Sequence, residues 1–192
     1  LSDKFKISKE KIKVYPVFEN LKNNNHNKSN SFIYPTTISK HKNNLRLLKA
    51  FVQSANQIPN LSFNSKITIS NTPETEKVML NASKNLTVDF LGSLSREDAI
   101  DEISKAKFLI YPSLTESFGL PLIEGCQLGC YIICSDLPYV HEIIRPSLTF
   151  DPYSVNSISK MINQSLQDKN LIFTEMKIES ATQLILNEIT HV

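Results

Sequence analysis

The chain has 192 residues, 41% of them hydrophobic and 21% charged, with 21 basic against 19 acidic side chains and a formal charge of +2. This is the composition of one globular domain of ordinary size, or of a domain with tails; it excludes a disordered chain, and no apolar run approaches the about eighteen residues that a bilayer requires. Residues 1–30 hold seven Lys against three acids, while residues 31–192 hold fourteen basic against sixteen acidic groups, and a slightly acidic body argues against a nucleic-acid-binding face.

The first segment, from Leu1-Ser2-Asp3-Lys4, lacks Met, a hydrophobic signal core and an Arg-rich transit pattern, as expected of a piece of a longer protein. Lys11 to Val17 alternates charged and apolar groups like one exposed strand, and Asn20 to Asn30 holds six Asn in eleven positions, so residues 1–30 read as a strand and linker from a preceding domain. From residue 31 short apolar runs begin: Phe32 to Tyr34, Ile67 to Ile69, Val88 to Leu91, Phe108 to Tyr111, Tyr131 to Cys134 and Leu148 to Phe150. Between them lie segments of helical period, such as the stripe Leu45, Leu48, Phe51, Val52 and Ala55, and the stripe Val155, Ile158, Met161 and Ile162. Ser95, followed by Glu97 and Asp98, has the form of a helix N-cap with acids in the first turn, and Pro121 suits a first helical position. Cys126, Cys130 and Cys134 lie within one stretch without the Cys-x2-Cys spacing of zinc ribbons, and are expected to be buried, reduced packing thiols. Thr174 to Ile189 reads as a terminal helix with Ile178, Ala181, Leu184 or Ile185, and Ile189 on one side.

Strands alternating with helices give an α/β fold with a doubly wound parallel sheet over residues 31–170, and a C-terminal helix over 171–192. In such a sheet the ligand site lies beyond the carboxyl ends of the strands. The four glycines, Gly92, Gly119, Gly125 and Gly129, form neither a Gly-x-Gly-x-x-Gly fingerprint nor a P-loop, so any phosphate cradle must be built differently. The richest candidate is Tyr111-Pro112-Ser113-Leu114-Thr115-Glu116-Ser117-Phe118-Gly119-Leu120-Pro121-Leu122-Ile123-Glu124-Gly125, a strand end, a loop and a helix entered through Gly119 and Pro121. Main-chain N–H groups at Gly119 and Leu120, with the positive end of the helix, make an anion site. Glu124 can accept paired hydroxyl hydrogens from a ribose, and Glu116 can reach another part of the same ligand. Carboxylates on both sides of such a helix start suit a ligand with hydroxyl-rich sugars on either side of a diphosphate.

Glu116 to Glu124, with seven residues between them and Phe118-Gly119-Leu120-Pro121 inside, resembles the Glu-x7-Glu motif of retaining GT-B glycosyltransferases of the group 1 (family 4) type. Val88 to Gly92, Ala106 to Ser113, Ile133 to Glu142 and Phe150-Asp151-Pro152 resemble further blocks of that family in the same order. The resemblance implies a Rossmann-like C-terminal half of a GT-B fold that binds a nucleoside diphosphate sugar. It implies that Glu116 and Lys42 are the catalytic residues, the first touching the donor sugar and the second stabilising the departing diphosphate. It further implies that Glu124 binds the ribose, that main chain at Phe118, Gly119 and Leu120 meets the diphosphate or sugar, and that the turn from Phe90 to Gly92 faces the base. Where the family has Gly-Arg before its lysine, this sequence has Thr36-Thr37, with Lys40 as a partial substitute. His41 and His141 are expected to be structural or solvent-facing.

The function expected from the resemblance is transfer of a sugar, with retained configuration, from a UDP- or GDP-sugar to a glycan or lipid-linked acceptor held by an absent N-terminal domain. No metal or other cofactor is expected, and no Asp-x-Asp motif occurs. The expected location is the cytoplasm of a bacterium, with peripheral association of the full-length protein at the inner membrane face. Two alternatives share the fold: a non-catalytic nucleotide-sugar-binding module, favoured by Thr36-Thr37, and a GT-B nucleotide-sugar epimerase.

Overall fold

The computed structural model describes residues 16–22 and 28–180. Contacts divide the chain into two compact units, one spanning 21–177 and a smaller one combining 1–20 with 178–192. The smaller unit is described at 16–20 and 178–180, where neither helix nor strand forms; most of the N-terminal strand expected at 11–17 lies outside the described residues.

The larger unit alternates strand and helix: β1 (Ser29–Tyr34), α1 (Asn44–Gln57), β2 (Phe63–Ile67), α2 (Pro73–Met79), β3 (Leu86–Phe90), α3 (Arg96–Lys105) and β4 (Ala106–Tyr111) come first. They are followed by α4 (Leu120–Gln127), β5 (Tyr131–Ser135), α5 (Pro138–Ile143), β6 (Ile144–Arg145), β7 (Leu148–Phe150), α6 (Val155–Gln167) and β8 (Glu175–Met176). Six strands form one sheet in the order β3-β2-β1-β4-β5-β7, every pair parallel. Helices α1, α2 and α6 pack together, as do α3, α4 and α5, so the sheet is flanked by helices. Strand order reverses between β1 and β4, and the loops leaving their carboxyl ends therefore border one crevice.

The centre of the sheet is held by aromatic packing. Phe32 stacks on Phe108 at 5.0 Å between ring centroids and meets Phe51 of α1 and Phe63 of β2 edge-on at 5.5 and 5.8 Å. Such pairs each add about 0.5–1.5 kcal/mol beyond the area they bury. Helix α1 buries Leu47, Leu48, Phe51, Val52 and Ala55, whereas Leu45, expected on that stripe, is 43% exposed. The second run begins earlier than its apolar residues suggest: Phe63, Ser65 and Ile67 alternate inward along β2, and Ile69 stays buried in the loop beyond it. The cap expected at Ser95 forms, its hydroxyl accepting from the Asp98 amide.

One element differs from the expectation. The helix expected from Thr174 does not form over its described part; Glu175–Met176 instead pairs antiparallel with β6, and residues 181–192 lie outside the described residues. Thr174 explains the outcome, because its hydroxyl accepts from the Ile132 amide at 2.8 Å and bonds the Ser147 hydroxyl at 2.8 Å, which fastens the segment extended against the sheet edge. Burial also accounts for the cysteines: Cys130 and Cys134 are buried and Cys126 half-buried, all as free thiols. Desolvation pushes all three up, Cys126 to about 11. Among the described residues no helix is long and apolar enough to cross a membrane.

At the end of a single 3-10 turn (Lys40–Lys42) the chain takes a left-handed residue, Asn43, at φ 61° and ψ 26°. Its side-chain amide donates to Pro112 O at 3.1 Å and Pro152 O at 2.8 Å, so the loop after β1 is fastened to those after β4 and β7. Asn tolerates this backbone region better than other side chains do. Asn43→Gly should keep the turn, lose the tethers and lower stability by about 1–3 kcal/mol, and Asn43→Ala should lose roughly 1 kcal/mol more through backbone strain. Denaturant midpoints check this; an Asn43→Ala protein as stable as wild type would contradict it.

Candidate functional site

The loop after β1 and the loop after β4 meet through charge as well as through Asn43. Lys42 Nζ donates to Glu116 Oε1 at 2.7 Å, with the two side chains only 16% and 11% exposed, and the Leu114 amide donates to His41 O at 2.8 Å. Beneath the pair lies a layer of tyrosines. Tyr34 donates to Lys42 O at 2.6 Å and bonds the Ser113 hydroxyl at 3.1 Å, while Tyr139 donates to Ser113 O at 2.9 Å. Tyr111 packs perpendicular to Tyr34 at 5.8 Å, and the Lys42 ammonium sits 5.8 Å from the Tyr111 ring centroid. Among the described residues the buried Tyr111 hydroxyl makes no hydrogen bond of good geometry, although the Glu116 carboxylate is near enough to act on it.

Desolvation raises Tyr34, Tyr111 and Tyr139 well above the usual phenol range, so the layer is neutral. At Glu116 burial opposes ionisation, but the hydrogen bond and the charge of the Lys42 ammonium outweigh it and hold the carboxyl below the usual range. A partly buried carboxylate is sustained only where it is paired in this way.

After Glu116 the chain enters α4 through Gly119, at φ 71° and ψ 45°. A side chain there would be strained by the backbone and would bring a Cβ to 3.2 Å from Leu122 Cδ1. Pro121 occupies the first turn, where a missing N–H costs no hydrogen bond. Gly119 is buried, Phe118 half-buried and Leu120 38% exposed. At Gly125 a Cβ would stand 2.7 Å from Leu109 Cδ1, so glycine lets α4 approach β4. The neighbouring Glu124 lies one turn into α4 rather than at its start, is 10% exposed, and accepts from Arg96 Nη1 at 2.6 Å.

The turn from Phe90 to Gly92 follows β3, with Gly92 at φ 70° and its amide donating to Ile69 O at 3.1 Å. It leads directly to Arg96. Lys42 and Glu116 thus touch, Phe118 to Leu120 join them to the helix of Glu124, and Glu124 meets the element that follows Phe90 and Gly92. Thr36 and Thr37 offer no cation: Thr36 is buried, its amide donates to Thr68 Oγ1 at 2.7 Å, and Asn44 Nδ2 donates to Thr37 O at 2.9 Å. Lys40 instead lines a cavity of about 720 Å³ with Ile38, Leu45, Arg46, Ile69 and Leu114, and neither motif glutamate lines that cavity. His41 bonds Ser39 and His141 bonds Asp136, both at the surface.

The profile of the family described as "Glycosyl transferases group 1" matches residues 17–183. The chain belongs to this family. Among curated relatives, it is 37% identical over 82 residues to the O-antigen chain mannosyltransferase B of Escherichia coli, a match covering 42% of this chain and 22% of that protein. It is 32% identical over 62 residues to the phosphatidylinositol N-acetylglucosaminyltransferase gpi3 subunit of Schizosaccharomyces pombe, over 32% of this chain and 14% of that one. The chain therefore spans less than a quarter of the length of these relatives. Solved structures share the fold: the pneumococcal O-GlcNAc transferase GtfA in complex with UDP and GlcNAc superposes with a TM-score of 0.59 at 19% identity, covering 81% of this chain and 32% of that one. A mutant of S. aureus TarM superposes at 0.64 and 14% identity, over 79% and 31%. The sheet is thus the Rossmann-like sheet of GT-B glycosyltransferases.

A carboxyl held below its unfolded value adds stability that is present above that value and is lost as pH falls through the folded one. Glu116→Gln in this glycosyltransferase domain should therefore remove part of the acid-side loss. The stability gap between wild type and variant should shrink from about pH 6 toward about pH 3. Urea unfolding across that range checks it, and a gap that does not change with pH would contradict it.

Proposed function

We propose that this chain is the donor-binding domain of a retaining glycosyltransferase, taking a sugar from a nucleoside diphosphate sugar to a hydroxyl of a glycan or lipid-linked acceptor. The observation that carries this is the convergence, beside the point of strand-order reversal, of the Lys42–Glu116 pair and of Glu124 on a helix entered through left-handed Gly119. In this reading the amides at Gly119 and Leu120, the helix end and Lys42 hold the diphosphate, Glu124 holds the ribose, and Glu116 meets the sugar. The Phe118 main chain meets the diphosphate or sugar, and the turn from Phe90 to Gly92 faces the base. A UDP- or GDP-sugar is the favoured donor. The names of the O-antigen mannosyltransferase relatives support a mannosyl group and a growing polysaccharide as the first pair to test.

Catalysis would be electrostatic. Preorganised amides and the Lys42 ammonium stabilise the charge that develops on the departing diphosphate, and the acceptor oxygen arrives on the same face of the sugar. The neutral tyrosine layer fixes Ser113 and the Lys42 carbonyl, so little reorganisation is needed when that charge appears. A facing domain would exclude water and hold the acceptor, at the cytoplasmic side of a membrane where a lipid-linked acceptor is used. Thr36-Thr37, closed by hydrogen bonds where a second cation is expected, favours a second reading as a non-catalytic nucleotide-sugar-binding module. Full-length protein that binds the donor but transfers nothing would select it.

Calorimetric titration separates the roles of the two glutamates. Glu124→Ala should weaken bare nucleoside diphosphate and nucleotide-sugar alike by roughly 1–3 kcal/mol, whereas Glu116→Ala should weaken mainly the sugar-bearing ligand. Equal losses for both variants on both ligands would overturn this assignment.

A further inference from the structure

Arg96 is the first residue of α3, directly after its Ser95 cap. That is a poor place for a cation on electrostatic grounds, because the helix N-terminus carries partial positive charge and favours acids, which do follow at Glu97 and Asp98. What Arg96 reaches from there is Glu124, a carboxylate 28 residues away on another helix, through Nη1 at 2.6 Å. The Arg96 side chain is 46% exposed and the Glu124 side chain 10% exposed, so the pair runs from the surface into the candidate site.

A carboxylate offers about four acceptor positions on two oxygens, and the guanidinium is met by Oε1. Glu124 thus keeps acceptor capacity at Oε2, enough for a hydroxyl. Through this one charge-assisted bond the guanidinium holds Oε1 in place, which limits how far the carboxylate can turn. We propose that Arg96 is a positioning residue for ribose recognition: it stays on Oε1 when nucleotide binds and turns Oε2 toward the ribose hydroxyls. This rests on the reading of Glu124 as the ribose-binding carboxylate, and adds to it the residue that aims it. It also gives the Phe90–Gly92 turn a task, since that turn sets where α3, and with it Arg96, begins.

The test is titration of wild type, Arg96→Ala and Arg96→Lys with UDP, GDP and their 2′-deoxy forms, with thermal unfolding recorded for each protein. Wild type should prefer the ribose form of the diphosphate it binds by about tenfold, the scale of one hydrogen bond to a charged group. Arg96→Ala should bring that ratio close to one while leaving affinity for the 2′-deoxy form nearly unchanged, and Arg96→Lys should restore part of it. General loss of structure would weaken both forms together and leave the ratio in place, which overturns the proposal. An Arg96→Ala protein that binds the ribose form more tightly would also overturn it, by showing that Arg96 competes with the ribose. Wild type binding neither diphosphate would remove the ribose reading of Glu124 itself, and wild type binding both sugar forms equally would overturn the proposed contact between Oε2 and the 2′-hydroxyl. An unchanged ratio in Arg96→Ala would remove only the role of Arg96.

Discussion

The site depends on one residue held in an uncommon backbone state. Asn43 turns the chain left-handed at the end of β1's loop and spends both amide hydrogens on the carbonyls of Pro112 and Pro152. Arg46 donates to the Asn43 side-chain oxygen and to Pro152 O, so the Asn43 amide uses both of its hydrogens and its oxygen. Three loops that are 69 and 109 residues apart in sequence are thereby fixed to one another at the carboxyl edge of the sheet. The position of Lys42 follows from this, because it immediately precedes the turn, and so does the position of Glu116, four residues beyond Pro112. The energetic cost of a left-handed non-glycine residue is of order 1 kcal/mol, and two buried hydrogen bonds offset it.

Around that clamp the charges are arranged by the cost of burial. Glu116 and Glu124 are both nearly buried, and each is neutralised by a cation from a different element, Lys42 from the loop after β1 and Arg96 from α3. Removing either cation would strand a charge in a poorly solvated place, which is costlier than the pair is favourable. Each carboxylate is therefore held at a defined place before any ligand arrives. Preorganisation of this sort is what a site needs if it is to stabilise charge that forms only during reaction.

Much of this could be read from the sequence, and the failures have specific causes. Apolar runs located β1, β4 and β5 closely because strands buried on both faces are nearly continuous hydrophobic segments, whereas the run at Ile67 to Ile69 meets β2 only at Ile67, since β2 alternates buried and half-buried positions. The Ser95 cap and the Gly119-Pro121 helix entry were legible because each is a local rule of side chain and backbone. Thr174 to Ile189 carried a helical period, yet Thr174 gains more from the Ile132 amide and Ser147 than a helix start offers, and Glu175–Met176 is drawn into a strand pair. Leu45 fitted the stripe of α1 but falls on its rim, since the helix begins only after the Asn43 turn. Neither the Asn43 clamp nor the Arg96–Glu124 pair could be foreseen, because both join residues far apart in the chain. A charged residue placed against the helix dipole at Arg96 was the one local sign of the second.

In the proposed function the strand-end loops after β1 and β4, with the start of α4, form one nucleotide-binding surface. Amide chemical shifts of the isotopically labelled protein, followed during titration with UDP or GDP, test it most directly. Saturable shifts should concentrate at Lys42, Ser113 to Leu120, Glu124 and Phe90 to Arg96. Shifts confined to the cavity beside Lys40 and Leu45, or none at millimolar ligand, would contradict it.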